Sequence, residues 1–175
     1  MQNTISRKIY LELLPPTEED ARGDRERILE QLAPEYGEVS MPLSVLRTLY
    51  PMCRDAGYRL TVTLVFNGSG WEILRVEPGD TSYQLYGAAV DYGSTTLVMQ
   101  VVDLLTGKVL TEQSIFNRQI PYGEEILSRI FYTKDDPEHL KELQQVTADS
   151  FNELIEKCEK ACGIPGEGCQ VFTKS

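Results

Sequence analysis

The chain has 175 residues, 41% of them hydrophobic, with 17 basic against 27 acidic side chains and a formal charge of −10. That length holds one domain or two small ones with a sizeable core, and the composition excludes disordered and fibrous chains. The acidic balance argues against general binding to nucleic acid or anionic membranes, no apolar run approaches the roughly 18 residues that span a bilayer, and residues 1–8 contain no apolar signal region.

Residues 8–14, Lys-Ile-Tyr-Leu-Glu-Leu-Leu, alternate as a strand does, and Pro15-Pro16 end the run. Thr17-Glu-Glu-Asp20 reads as an N-cap followed by acidic first-turn residues. A charged helix is therefore predicted from Thr17 through Leu32, weakened by Gly23 and stopped by Pro34. Met41–Tyr50 reads as a second short helix, with Pro42 in its first turn and Val45, Leu46 and Leu49 on one face. Tyr58–Phe66 and Trp71–Val76 are β-rich runs joined by Asn67-Gly-Ser-Gly70, a hairpin signal. Trp71 is expected to pack with Tyr58, Phe66 and Tyr83 against the helix before them.

Glu77-Pro-Gly-Asp80 is punctuation, and it places a boundary between modules 1–84 and 85–175. Three strands then follow quickly, over residues 86–91, 96–104 and 107–116, with Thr106-Gly107 turning the last pair. Ile120–Phe131 reads as a helix starting near Pro121. A longer helix runs from Asp136-Pro137 to Gly163, with a stripe through Leu140, Leu143, Thr147, Phe151, Leu154, Ile155, Cys158 and Cys162. The tail after it holds one short strand at most.

The densest cluster of polar donors is Asp91-Tyr-Gly-Ser-Thr-Thr96, between two of these strands. A triphosphate presents several anionic oxygens, and a tight turn with Gly93 lets backbone N–H groups approach them. Ser94, Thr95 and Thr96 add hydroxyl donors. Asp91, at a strand end, is suited to hold Mg²⁺ through ordered waters, since that cation prefers oxygen ligands and keeps much of its hydration. An ordinary β-hairpin uses the same residue types, so the hexapeptide alone decides nothing.

Its context is more specific. Arg7-Lys-Ile-Tyr-Leu-Glu-Leu-Leu-Pro-Pro-Thr-Glu-Glu-Asp20, then Asp24-Arg-Glu-Arg-Ile-Leu29, resembles the linker of the ATP-dependent reductive activators of corrinoid proteins. Tyr86–Thr96 is similar to that family's Ala-Val-Asp-Ile-Gly-Thr-Thr-Thr loop, and Asn117-Arg-Gln-Ile-Pro-Tyr-Gly-Glu-Glu-Ile-Leu-Ser-Arg-Ile130 to its Asn-Pro-Gln…Gly-x-Asp-Val-Ile-Ser-Arg-Ile segment. The three pieces cover most of residues 7–130 in order; Tyr92, Ser94, Arg118 and Glu125 depart from the pattern. The resemblance implies a fold of the actin/Hsp70/sugar-kinase superfamily, with Asp91 holding Mg²⁺ and Gly93, Ser94, Thr95 and Thr96 holding phosphate. It implies ATP-driven reduction of Co(II) to Co(I) on a corrinoid protein partner.

The family's ferredoxin domain needs a Cys-x₄-Cys-x₂-Cys…Cys type of spacing. The four cysteines, Cys53, Cys158, Cys162 and Cys169, do not provide it, so no iron–sulfur cluster is expected in this chain. Nor are the second lobe and its phosphate loop expected here. The architecture that follows is α+β: a small mixed α/β module, then a partial ribonuclease-H-like module with three consecutive strands and two helices. The expected function is half of an ATP site, with no catalytic residue and little turnover. The alternative is a non-catalytic module for dimerisation or partner docking.

A reduced cytoplasmic protein fits the sparse cysteines, which read as small apolar side chains, not metal ligands. An unfinished sheet would leave an edge strand open, and a homodimer is expected to form through it. His139 is expected at a helix start in a solvated or dipole-facing role, with no catalytic partner. Glu124, Glu125 and Arg129 read as a solvated helix face with an i,i+4 pair, or as the phosphate side of a complete protein.

Overall fold

In the computed structural model, which describes residues 5–165 and 169–173, the chain divides into two compact units, Met1–Leu85 and Tyr86–Ser175. Among the described residues no helix is long and apolar enough to cross a membrane.

The first unit is a four-stranded sheet with two helices. β1 (Ser6–Glu12) pairs antiparallel with β3 (Arg59–Phe66), and β3 with β4 (Trp71–Pro78). The two-residue β2 (Val39–Ser40) lies parallel to β4 at the edge. Asn67 closes the β3–β4 hairpin by accepting from the Ser69 and Gly70 amides, each at 3.1 Å. Alternation along β3 sends Leu60, Val62 and Leu64 into the core, where Ile28 and Leu32 of α1 (Asp24–Tyr36) and Leu49 and Cys53 of α2 (Leu43–Asp55) meet them. Burial pushes the Cys53 thiol up to about 11, so it is an inert core side chain. On the other face Thr61 is buried, donating to Gly79 O at 2.7 Å and accepting from the Thr81 amide at 2.9 Å.

Three expectations fail here for local reasons. Thr17 does not cap the helix: Thr17 and Asp20 bond each other's backbones in a separate turn, and α1 begins only after Gly23. Pro34 lies inside α1, one turn from its end, where few backbone bonds remain to be lost, and Gly37 closes the helix through Ala33 O. Trp71 packs edge-on against Phe66 and against Tyr36 of α1, whereas Tyr83 is exposed.

The second unit is also a four-stranded sheet. β5 (Tyr86–Tyr92), β6 (Thr96–Asp103) and β7 (Lys108–Phe116) form an antiparallel meander. α3 (Ile126–Asp135) and α4 (Pro137–Cys162) follow, and β8 (Cys169–Thr173) returns parallel to β5, giving the order β7-β6-β5-β8. Ala88, Val90, Leu97, Met99 and Ile115 form one apolar face, on which α4 lays Leu154 and Cys158. Asp136 caps α4 through the Glu138 amide at 2.9 Å, and Gly163 ends it in the left-handed conformation.

The helix expected over 120–131 is two elements, a single 3₁₀ turn (Ile120–Tyr122) and α3. Gly123 breaks it with φ +150°, and a Cβ there would lie 2.8 Å from Ser128 Cβ. Leu140, placed on the apolar stripe, is exposed instead.

The sequence 15–27 folds around a buried guanidinium. Arg27 is 4% exposed and donates to Leu14 O, Asp20 O and the Asp20 carboxylate. The Arg22 hydrogen bond, with Arg27 beside it, holds the Asp20 carboxyl well below the usual carboxylate range. A depressed folded pKa adds stability above the unfolded value of about 3.9 and loses it as pH falls below that. The denaturation midpoint of the first unit, followed by the fluorescence of Trp71, should therefore fall between about pH 5 and pH 2. Asp20→Asn should flatten that dependence; an equally steep fall in the variant would assign the loss to other groups.

Candidate functional site

The candidate loop joins β5 to β6. Asp91 pairs with Val98 and Tyr92 with Leu97, and the Gly93 amide donates to Thr96 O at 3.0 Å. A Cβ on Gly93 would stand 2.6 Å from that oxygen, so the turn closes only around glycine. Strand alternation then divides the side chains. Tyr92 continues the core face of Val90, stacking on Phe151 at 5.7 Å with its hydroxyl 3.2 Å from Thr147 Oγ1. Asp91 projects to the opposite face, exposed and without a protein partner among the described residues.

The loop is held from behind by the segment after β7. Asn117 is buried; its Nδ2 donates to Gly93 O at 2.9 Å and its backbone amide to Thr95 O at 2.8 Å. Its Oδ1 accepts from the Gln119 amide at 2.9 Å. Arg129 of α3, also buried, donates through Nη2 to Ser94 O at 2.5 Å, through Nη1 to Gln119 Oε1 at 3.2 Å and through Nε to Gly123 O at 2.8 Å. Gln119 in turn donates to Leu143 O and Thr147 Oγ1 on α4. The carbonyls of residues 93 to 96 are thus all occupied from within. The amides of Ser94 and Thr95 and the hydroxyls of Ser94, Thr95 and Thr96 make no hydrogen bond among the described residues. The backbone acceptors of the turn are bonded within the protein while the donors of the exposed Ser94 and Thr95 are unbonded, the inequality that an anion exploits.

Other candidates have structural roles. His139 stacks on Tyr132 at 3.9 Å, with Nδ1 2.8 Å from Tyr132 O. Glu142 braces the 3₁₀ turn and α3 against α4, accepting from Tyr122 and Tyr132; its hydrogen bond pushes the Tyr132 phenol up to about 12. Arg129 and Glu125 form no i,i+4 ion pair, because the guanidinium is buried against carbonyls and the Gln119 amide oxygen. No group of three His, Cys, Asp or Glu that could hold a metal exists among the described residues. Cys158 is buried on the α4 stripe, Cys162 Sγ reaches Cys158 O at 3.0 Å, and the Cys169 side chain lies outside the described residues.

Sequence reasoning found the loop and missed what fixes it. Asn117 lies 24 residues from Gly93, whose carbonyl it holds, and Arg129 lies 35 residues from Ser94. No local spacing connects such positions; the signal available was their common place in the Asn117–Ile130 segment, directly after β7.

Residues 86–173 match the family described as the RACo middle region, and residues 2–83 match the RACo linker region. A corrinoid activation enzyme of Eubacterium limosum, RamQ, is 30% identical over a stretch covering 68% of this chain and 23% of that protein. A solved structure of a reductive activator for corrinoid, iron–sulfur protein superposes with a TM-score of 0.80 at 29% identity, covering 97% of this chain and 28% of that one. The chain spans about a quarter of the length of both.

Removing the anchor should loosen the loop. Asn117→Ala leaves Gly93 O without its donor and should cost about 1–3 kcal/mol in urea denaturation. It should also accelerate amide exchange at Gly93; unchanged stability and exchange would deny Asn117 that role.

Proposed function

Because this chain belongs to the RACo family of corrinoid reductive activators, as its linker and middle regions, we propose that Asp91–Thr96 is half of a nucleotide phosphate site. The observation that carries the reading is the loop's polarity: every carbonyl from Gly93 to Thr96 is bonded from within, while the amides of Ser94 and Thr95 and the hydroxyls of Ser94, Thr95 and Thr96, all on exposed residues, are unbonded among the described residues. Phosphate oxygens are the acceptors such a surface fits. The strand order β7-β6-β5-β8, with β8 parallel to β5 after the α4 crossover, supports assigning the second unit to the ribonuclease-H-like class of the actin/Hsp70 superfamily.

Asp91 fits Mg²⁺ only as one ligand. It is a single exposed carboxylate, so phosphate oxygens and water would supply the other positions. Held by Asp91 and the loop from Gly93 to Thr96, Mg-ATP would supply the charge and leaving group for phosphoryl chemistry. This chain's own contribution is to orient phosphate through the loop. A single open loop neither excludes water nor positions a nucleophile, so ATP turnover by this chain is low. The biological partner in this reading is a cytoplasmic corrinoid protein, docked while nucleotide is bound.

A second reading, self-association, draws on β7. This nine-residue strand lies at a sheet edge with Val109 and Phe116 exposed. Light scattering tests it: a dimer is expected, and a monodisperse monomer contradicts it.

For the phosphate site, Mg-ATP at millimolar concentration should shift the amide resonances of Ser94, Thr95 and Thr96. Asp91→Asn should weaken the Mg²⁺ dependence of that shift about tenfold, the size expected for a lost charged ligand. No shift in this segment would reject the site.

A further inference from the structure

The two arginines buried among the described residues are differently compensated. Arg27 in the first unit sits 2.8 Å from the Asp20 carboxylate. Arg129 in the second is 7% exposed and bonds only neutral oxygens, Ser94 O, Gln119 Oε1 and Gly123 O. No carboxylate lies within ion-pair distance of it among the described residues. A guanidinium has five N–H donors, and three are matched here. A buried charge without a counter-ion costs several kcal/mol, whereas one paired with a carboxylate regains much of that cost.

Arg129 also lines an open pocket of about 310 Å³ between the Gly93–Ser94 loop, α3 and α4, with Ile126, Ile130 and Leu140 exposed at its rim. Its remaining walls are mainly apolar, chiefly Ile126, Ile130, Leu140 and Leu143. The volume is in the range of small-molecule pockets, roughly 300–1,000 Å³. One cation at an apolar wall sets the charge of what can enter. A phosphate dianion would carry uncompensated negative charge into apolar surroundings, and a neutral molecule would leave the guanidinium unpaired. A monoanion with an apolar body satisfies both, because its carboxylate can accept from the N–H groups left unmatched on Nη1 and Nη2.

We propose that this cavity is a binding site for a small organic carboxylate, whose carboxylate pairs with Arg129 while its apolar body rests on Ile130 and Leu140. The pocket shares Gly93 and Ser94 with the proposed phosphate loop, but the contact proposed here is to Arg129 and not to the unbonded donors of that loop. It touches that loop from behind, because Arg129 Nη2 also holds Ser94 O.

The test titrates the chain with hexanoate and phenylacetate, with hexanol as the uncharged control and inorganic phosphate as the apolar-free anion. The readouts are ¹³C-methyl shifts of Ile126, Ile130, Leu140 and Leu143 and the Arg129 Nε–H resonance. Saturable shifts with a carboxylate, at least about tenfold stronger than with hexanol, are expected, the size of one charge-assisted pair. Arg129→Gln should remove that preference. Because that variant could unfold, Leu140→Trp, which fills the exposed mouth and leaves the Arg129 bonds intact, should abolish binding independently. Equal binding of hexanol and hexanoate, shifts with phosphate alone, or no methyl shifts would each overturn the proposal. Loop amide shifts with Mg-ATP that leave these methyls unmoved would leave the phosphate reading standing by itself.

Discussion

The buried carboxamide of Asn117 is the constraint from which the second unit's site is built. Its Nδ2 takes Gly93 O, its backbone amide takes Thr95 O, and its Oδ1 receives the Gln119 amide. One side chain therefore joins the β5–β6 turn to the chain leaving β7. A hairpin loop satisfied by water on both sides would sample many conformations. With its carbonyls bonded from within, the loop holds its shape, and leaves the Ser94 and Thr95 amides unbonded, without a ligand. That is preorganisation in the sense that matters for anion binding: the orienting cost is met by folding, before a ligand arrives.

Arg129 extends the same arrangement into α3. Its three bonds connect the loop, the 3₁₀ turn and its own helix. Gly123 is what allows the approach, since a side chain there would strike Ser128 and the α3 backbone. Glu142 completes the brace by holding Tyr122 and Tyr132 against α4. The loop is consequently supported by α4 directly through Tyr92, and indirectly through Gln119 and through Tyr122 and Tyr132. Disturbance at the helix pair should be felt at Ser94 although none of those residues would touch a phosphate.

Much of this was legible in the sequence. Alternation placed β1, β3, β4, β5, β6 and β7 to within a residue or two, because half-buried strands must alternate, whereas the two-residue β2 is too short to alternate and was not foreseen; Asp136-Pro137 and Gly163 marked α4 at both ends. The candidate loop was legible because glycine and hydroxyl residues cluster locally. Helix starts were less so: Thr17 to Asp20 has the composition of a cap but spends it on a turn around Arg27. Burial of a charged residue was least legible of all. Arg129 follows Glu125 at helical spacing, which reads as a surface pair, and only the tertiary position of three neutral acceptors reverses it. The tail's short strand, β8, was foreseen as no more than an allowance, since its partner β5 lies far away in sequence.

The loop's two edges are unequal, with carbonyls tied within the protein and the Ser94 and Thr95 amides open. Residue-resolved amide exchange measures this directly. In the free chain the Gly93 and Asn117 amides, bonded to Thr96 O and Thr95 O, should exchange slowly, and those of Ser94 and Thr95 quickly. Mg-ATP should slow Ser94 and Thr95 selectively. Slow exchange at Ser94 and Thr95 without nucleotide, or fast exchange at Gly93 and Asn117, would contradict the account.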